Sequence, residues 1–257
     1  MMNVAITGAS SGIGAALARL YAAQRARVLL IARDAARLAR VAEECRALAA
    51  TVETASVDVR HRAELAALLR EFDARHAIDV VVANAGVTSV LEPEAAVESG
   101  EDFQRVLETN LIGAFNTVAP AAERMAARGT GRIGLVGSLA GLRGLPYSPA
   151  YCASKAGLKA MGEAMRATLR PRGVSLTIAS IGFVVTPLDD SITSPKPLRM
   201  TPERAAARIA AAIAARRAHV AFPIPLASAT RLLAVLPPRL GDALLRLVPV
   251  TRRKAGE

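Results

Sequence analysis

Asn3-Val4-Ala5-Ile6-Thr7-Gly8-Ala9-Ser10-Ser11-Gly12-Ile13-Gly14 is the stretch on which the reading of the whole chain turns. Asn3–Thr7 is a short apolar run without alternation, the pattern of a strand buried on both faces. It passes through a Gly/Ser loop, Gly8–Gly12, into a helical pattern that continues to about Arg25. Glycine at 8 allows a tight turn, at 12 a close approach of backbone to ligand, and at 14 close packing of helix on strand. A helix start offers unpaired amides and the positive end of its dipole, so this strand–loop–helix is suited to holding a phosphate.

Outward from that unit the same alternation repeats. Further strands are read at Arg27–Ala32, Thr51–Val57, Ile78–Ala83, Gly131–Gly137, Val174–Ile181 and His219–Phe222. Helical patterns separate them at about Asp34–Ala49, Arg62–Arg75, Gly100–Ala127 and Pro149–Leu169, and from Thr201-Pro202-Glu203 to about Arg217. Buried strands joined by helical crossovers predict an α/β fold with a doubly wound parallel β-sheet, a Rossmann fold flanked by helices, as one domain over 1–257. Right-handed crossovers place every strand's carboxyl end on one edge, where such folds bind ligands.

Composition narrows the classes. Apolar residues make up 52% and charged residues 21%, a globular balance that excludes disorder. Tryptophan is absent and aromatics are 3%, which argues against stacking on single-stranded nucleic acid. The net charge of +11 comes mostly from arginines scattered along the chain and reads as a solvated surface, so no specific nucleic-acid partner is expected. Cys45 and Cys152 lack CxxC spacing, and His61, His76 and His219 lie far apart, so neither a disulfide framework nor a metal site is expected. The N-terminal run Val4-Ala5-Ile6 does not read as a secretory leader and no apolar run of about 18 residues is seen, so the expected location is the cytoplasm.

Several motifs follow strand ends. Ala32-Arg33 closes the second strand without the carboxylate that would bind both ribose hydroxyls of NAD. A guanidinium there can pair with a 2′-phosphate, and Ser10 can assist. Asp58-Val59 follows the third strand and Asn84-Ala85-Gly86 the fourth. Tyr151 and Lys155 are four apart on a predicted helix and share a face. An ammonium near a phenol favours the phenolate and lowers its pKa, which suits a group that gives or takes a proton at a carbonyl or alcohol oxygen. Ser138, after the fifth strand, can donate a hydrogen bond to the same oxygen, and Asn110 lies in the helix after the fourth strand.

Thr7-Gly8-Ala9-Ser10-Ser11-Gly12-Ile13-Gly14 has the spacing TGxxxGxG. With Asn110, Ser138, Tyr151 and Lys155 behind it, the chain resembles the short-chain dehydrogenase/reductase family over about residues 3–186. The resemblance implies a loop that holds the cofactor diphosphate. Asp58-Val59 then meets the adenine, and Asn84-Ala85-Gly86 packs beside the cofactor. It implies a catalytic Asn110/Ser138/Tyr151/Lys155 set, in which Lys155 also binds the nicotinamide ribose and Asn110 helps hold a water. Val184 and Thr186, in Gly182–Pro187, would meet the nicotinamide carboxamide. The family usually has proline where this chain has Ile181, which leaves the backbone path there open. The expected activity is hydride transfer between NADP(H), preferred over NAD(H), and a small carbonyl or alcohol substrate. The alternative is a catalytically inactive nucleotide-binding protein on the same fold. A homodimer or homotetramer is implied by the resemblance alone.

Two segments stand apart. Leu188–Met200 has no periodicity and reads as a substrate lid that orders on binding, within a region of about 187–217. About 226–257 is an amphipathic extension in which Leu240, Leu244 and Leu247 share a face, with Arg239, Arg246 and Arg252-Arg253-Lys254 nearby. It reads either as a flap over the pocket or a subunit interface, or as peripheral contact with a membrane.

Overall fold

The central strands are buried on both faces, and the chain supplies the cover with two helical layers. A computed structural model describes residues 1–91, 95–190, 192–193, 195–247 and 251–252. Its strands are β1 (Asn3–Thr7), β2 (Arg27–Ala32), β3 (Thr51–Ser56), β4 (Val80–Ala83), β5 (Gly131–Ser138), β6 (Val174–Ile181), the short β7 (Ile192–Thr193) and β8 (His219–Phe222). All but β7 form one parallel sheet of seven strands in the order β3-β2-β1-β4-β5-β6-β8. β7 pairs instead with β9 (Thr251–Arg252), antiparallel. The order reverses direction between β1 and β4, and there a doubly wound sheet opens a crevice at its carboxyl edge.

The helices are α1 (Gly12–Ala23), α2 (Ala35–Ala47), α3 (Arg62–Arg75), α4 (Gly100–Leu107), α5 (Gly113–Ala127), α6 (Pro149–Leu169), α7 (Pro187–Asp190), α8 (Pro202–Ala214), α9 (Ile224–Val235) and α10 (Pro238–Arg246). Successive strand residues serve opposite layers. Val4, Ile6, Val28 and Leu30 pack with Leu17 of α1, Leu38 of α2 and Ile209 of α8. Ala5, Leu29, Ile31 and Val81 pack with Phe72 of α3, Val118 of α5 and Leu158 of α6. Helix starts follow the capping residues in the sequence. The side chains of Asp34, Ser99 and Thr201 accept from the amides of Arg37, Asp102 and Arg204 at 2.9, 3.1 and 3.3 Å.

The structure departs from the sequence reading in three places. The fourth strand pairs from Val80 and not Ile78, because the Ile78 amide donates to Asp73 Oδ1 at 2.8 Å. The single helix expected over Gly100–Ala127 is broken into α4 and α5 by one wider π-helical turn, Glu108–Ile112. The region of about 187–217 expected as a lid contains a core helix. Residues 202–214 are α8, whose Ala205, Ala206, Ile209 and Ile213 are buried in the core beside α1. What remains leaves the core at Val184 and returns at Met200, closed by Val185 N–H to Met200 O and Met200 N–H to Phe183 O, both 3.0 Å. Ser191 and Ser194 of that lid, and Arg253 and Lys254 of the C-terminal extension, lie outside the described residues. Among the described residues no helix is long and apolar enough to cross a membrane.

One buried carboxylate secures the edge opposite the crevice. The Asp73 side chain, 3% exposed, accepts from the Ile78 amide and from Arg128 and Arg124 at 2.8 and 3.1 Å. Burial alone would raise its pKa, but the Ile78 amide and the two guanidiniums outweigh it and hold the carboxyl below the usual range. A depressed folded pKa contributes stability that is present above the unfolded value and lost as pH falls. Asp73→Ala is therefore expected to lower unfolding free energy by about 2–4 kcal/mol at neutral pH. Urea melts should show the difference from wild type shrinking below about pH 4.

Candidate active site

The crevice is built first from backbone. Gly8 and Gly12 take φ of +67° and +53°, values that favour glycine, and a Cβ at Gly14 would lie 2.1 Å from the Gly8 carbonyl. Ser11 precedes α1 without a side-chain capping bond, so its hydroxyl does not close the first amides of the helix. Thr7, 1% exposed, receives the Asn84 amide on Oγ1 at 3.3 Å. The Asn84 side chain donates to the carbonyls of Thr7 and Gly8 at 3.0 and 3.2 Å. Ala85 approaches so closely that a Cβ at Gly8 would lie 2.7 Å from its Cα. Asn84-Ala85-Gly86 thus holds the glycine loop in place from the neighbouring strand.

A cavity of about 620 Å³ runs along this edge, a size usual for ligand sites. At one end it is lined by Arg33, Asp34, Arg37, Asp58 and Val59, and at the other by Tyr151, Lys155, Ile181 and Thr186. Ser10, Ser11, Gly12 and Ile13 lie along its floor. Arg33 is mostly exposed and 3.7 Å from the Asp58 carboxylate, which Arg60 grips at 2.8 Å. Burial would raise the Asp58 pKa, but the bonds from Arg60 and the charge of Arg33 hold it below the ordinary value. Asp34 caps α2 and pairs with Arg37 at 3.0 Å, so its charge is engaged beside Arg33. Asn116 fixes the Val59 carbonyl at 2.9 Å. Arg37 and Asn116 are absent from the sequence reading. Arg37 was legible as the residue at i+3 from the capping Asp34, whereas no sequence pattern marks Asn116.

At the other end four side chains converge on α6. The Ser138 hydroxyl lies close enough to the Tyr151 phenol to favour its charged form, and Ser138 Oγ accepts from the Ala140 amide at 3.1 Å. Lys155, 6% exposed, donates to the Val136 carbonyl at 3.1 Å, with Nζ 5.7 Å from the Tyr151 ring centre. Asn110, fully buried in the π turn, accepts from the Val87 amide at 2.8 Å and donates to Val87 O at 2.9 Å and to Ser154 Oγ at 3.0 Å. Ser154, which the sequence reading missed, donates on to the Tyr151 carbonyl at 2.7 Å. Gly86 admits this cluster, since a Cβ there would lie 3.3 Å from Asn110 Oδ1 and 3.7 Å from Lys155 Nζ.

The electrostatics correct one expectation. The sequence reading has the Lys155 ammonium lowering the Tyr151 pKa. Instead, burial raises the phenol, and the bond from Ser138 offsets it only in part. The same burial lowers Lys155 to about 8. Desolvation penalises both charged forms, and the ammonium is turned toward the Val136 carbonyl.

Thr186 roots the loop over the glycines. A Cβ at Gly12 would meet Thr186 Cγ2 at 2.9 Å, and Thr186 Oγ1 donates to Val184 O at 3.3 Å and accepts from the Asp189 amide at 3.2 Å. Val184 is buried in the first core layer. Ile181, where the family resemblance has proline, keeps sheet register with Ser138 and Phe222 to the strand's last residue.

Comparison with known proteins agrees with this geometry. The model of the short chain dehydrogenase family matches residues 2–197. An uncharacterized oxidoreductase of Myxococcus xanthus is 36% identical over 242 residues, 94% of this chain and 95% of that protein. Human 17-beta-hydroxysteroid dehydrogenase type 1 is 39% identical over 190 residues, 71% of this chain and 57% of its own length. An alcohol dehydrogenase from the archaeon Thermococcus sibiricus, solved with 5-hydroxy-NADP, has a TM-score of 0.77 at 26% identity, covering 86% of this chain and 96% of that one. On the sheet order, the glycine loop and these likenesses, the chain belongs to the short-chain dehydrogenase family of oxidoreductases, which use nicotinamide cofactors and act on small molecules.

Proposed function

We propose that the protein is an NADP(H)-dependent oxidoreductase that interconverts a carbonyl and a secondary alcohol, with Tyr151 as general acid/base. The observation that carries this reading is the placement of Tyr151 and Lys155 on the wall of a cavity whose far end presents Arg33, with Ser138 acting on the phenol from the end of β5. The glycine cradle of Gly8, Gly12 and Gly14 fits a dinucleotide diphosphate. Arg33 fits a 2′-phosphate, since the neighbouring Asp34 is paired with Arg37. A nicotinamide held at the Val184–Thr186 end supplies or accepts the hydride.

In the reductive direction the Tyr151 hydroxyl gives its proton to the substrate oxygen, while Ser138 donates a hydrogen bond that stabilises charge growing there. Burial keeps Tyr151 protonated for this task. As the proton leaves, Lys155 stabilises the phenolate, and a charged partner at that moment raises the lysine's affinity for its own proton. Asn110, held by Val87 and Ser154, keeps the π turn against α6 and so fixes the distance between Lys155 and the Gly86 backbone. The segment between Val184 and Met200 serves as the lid. In keeping with the family's habit, the working form is a homodimer or homotetramer.

Three outcomes test the reading. Tyr151→Phe is expected to lower kcat by about 10²–10⁴ while NADPH binding, followed by its fluorescence, is retained; wild-type turnover would overturn the assignment. Arg33→Ala is expected to weaken NADPH about tenfold and leave NADH unchanged, and equal losses would remove the phosphate role. Lys155→Met should abolish turnover yet stabilise the fold. With a folded pKa of about 8 against an ordinary 10.5, the unfolded chain binds more protons between those values, so wild-type stability rises with pH there. The variant should exceed wild type by on the order of 3 kcal/mol near pH 7, with the gap closing above about pH 8 in denaturant melts.

A further inference from the structure

The C-terminal helices carry an apolar surface that the fold leaves outside. On α9, Ala227 and Thr230 are buried, while Ile224, Leu232 and Val235 are 71%, 62% and 77% exposed. On α10, Gly241 and Leu245 are buried, and Leu240, Leu244 and Leu247 stand exposed at helical spacing. Single exposed leucines are ordinary, but a stripe on each of two successive helices marks an interaction surface. Arg231, Arg239 and Arg246 are exposed on the same helices. Asp242 is the only acid in residues 223–247 of the sequence, and it is held by Arg143 at 2.6 Å. Leucine beside arginine, with the one carboxylate paired, complements an anionic lipid surface. A second copy paired through this patch by a two-fold axis would present the same arginine-rich face, which lacks complementary negative charge.

The same helices lie next to the segments that follow β5 and β6. The Gly182 amide donates to Phe222 O at 2.8 Å, and a Cβ at Gly182 would meet Leu226 Cδ2 at 3.1 Å and Leu139 Cδ1 at 3.5 Å. The start of α9 therefore packs beside the residue that follows Ser138. α10 is tied through Asp242 to Arg143, five residues beyond Ser138 in the sequence.

We propose that α9 and α10 dock the protein on an anionic membrane, and that its substrate is an apolar carbonyl or alcohol dissolved there. The substrate class rests on the oxidoreductase reading above; the docking does not.

Flotation of the full-length protein with vesicles tests the docking. It is expected to float with phosphatidylcholine vesicles that contain phosphatidylglycerol, not with phosphatidylcholine alone, and to be released by salt. Arg239→Ala with Arg246→Ala should weaken partitioning about 30-fold, each arginine near the surface being worth roughly a factor of five. Leu232→Asp with Val235→Asp should abolish it, with thermal melts showing that the variants remain folded. Failure to float with phosphatidylglycerol, or flotation untouched by both pairs, overturns the docking. So does a finding by sedimentation that the leucine and valine changes merely dissociate a dimer. With NADPH, a long-chain alkyl ketone carried in those vesicles should be reduced more slowly by both double variants, while a short soluble ketone is reduced as by wild type. Equal effects on the two ketones overturn the substrate class. Intact flotation without reduction of any ketone sinks the oxidoreductase reading and leaves the docking standing.

Discussion

The Asn84 side chain spans the point where the sheet turns from one winding direction to the other. Its amide donates to two successive carbonyls of β1 and the loop after it, Thr7 and Gly8, while its own backbone amide bonds to Thr7 Oγ1. Strands β1 and β4 are adjacent in the sheet, yet the helices that follow them depart to opposite faces, so their carboxyl ends diverge. Without a cross-link at this divergence the glycine loop would lose its hydrogen bonds to the β4 side. With it, Gly8 is pressed on Ala85 and Gly14 on Gly8, leaving no room for a side chain at either glycine. The shape of the crevice floor thus depends on one amide that belongs to neither the loop nor the helix.

The opposite end is governed by desolvation. Lys155 and Tyr151 sit one turn apart on α6, and burial pushes their titrations apart by disfavouring both charged forms, the phenol upward and the lysine downward. A phenol that keeps its proton and a lysine that loses its own more readily are two results of the same removal of water. The three polar contacts of Asn110 and the short chain through Ser154 to the Tyr151 carbonyl make α6 and the π turn one polar unit. An inserted π turn inside a long helix is a frequent companion of functional residues, and here it is the element that carries Asn110.

Much of this was legible before any coordinates. Arg27–Ala32, Val174–Ile181 and Pro149–Leu169 begin and end where the apolar runs and helix signals place them, because buried parallel strands and capped helices leave strong local marks. The glycine loop and the Tyr151/Lys155 spacing were likewise local. What escaped reading was set by contacts distant in sequence. The amide of Ile78 is taken by Asp73, so the strand starts late. The π turn depends on Asn110 meeting Val87 and Ser154 across the fold. Residues 202–214 read as lid until α1 is seen to cover them. The sign of the Tyr151 shift depends on how much water the fold removes, which spacing alone does not contain.

The two backbone bonds that join Phe183 and Val185 to Met200 have an evolutionary corollary. They make the intervening residues a detachable module with fixed gateposts, its entrance and exit set by the sheet and by α8. Lengthening or shortening that module need not disturb the register of β6 or the seating of α8 on α1. Descendants of such a chain can therefore vary the residues beyond Thr186 in length while Thr186 keeps its contact with the glycine loop.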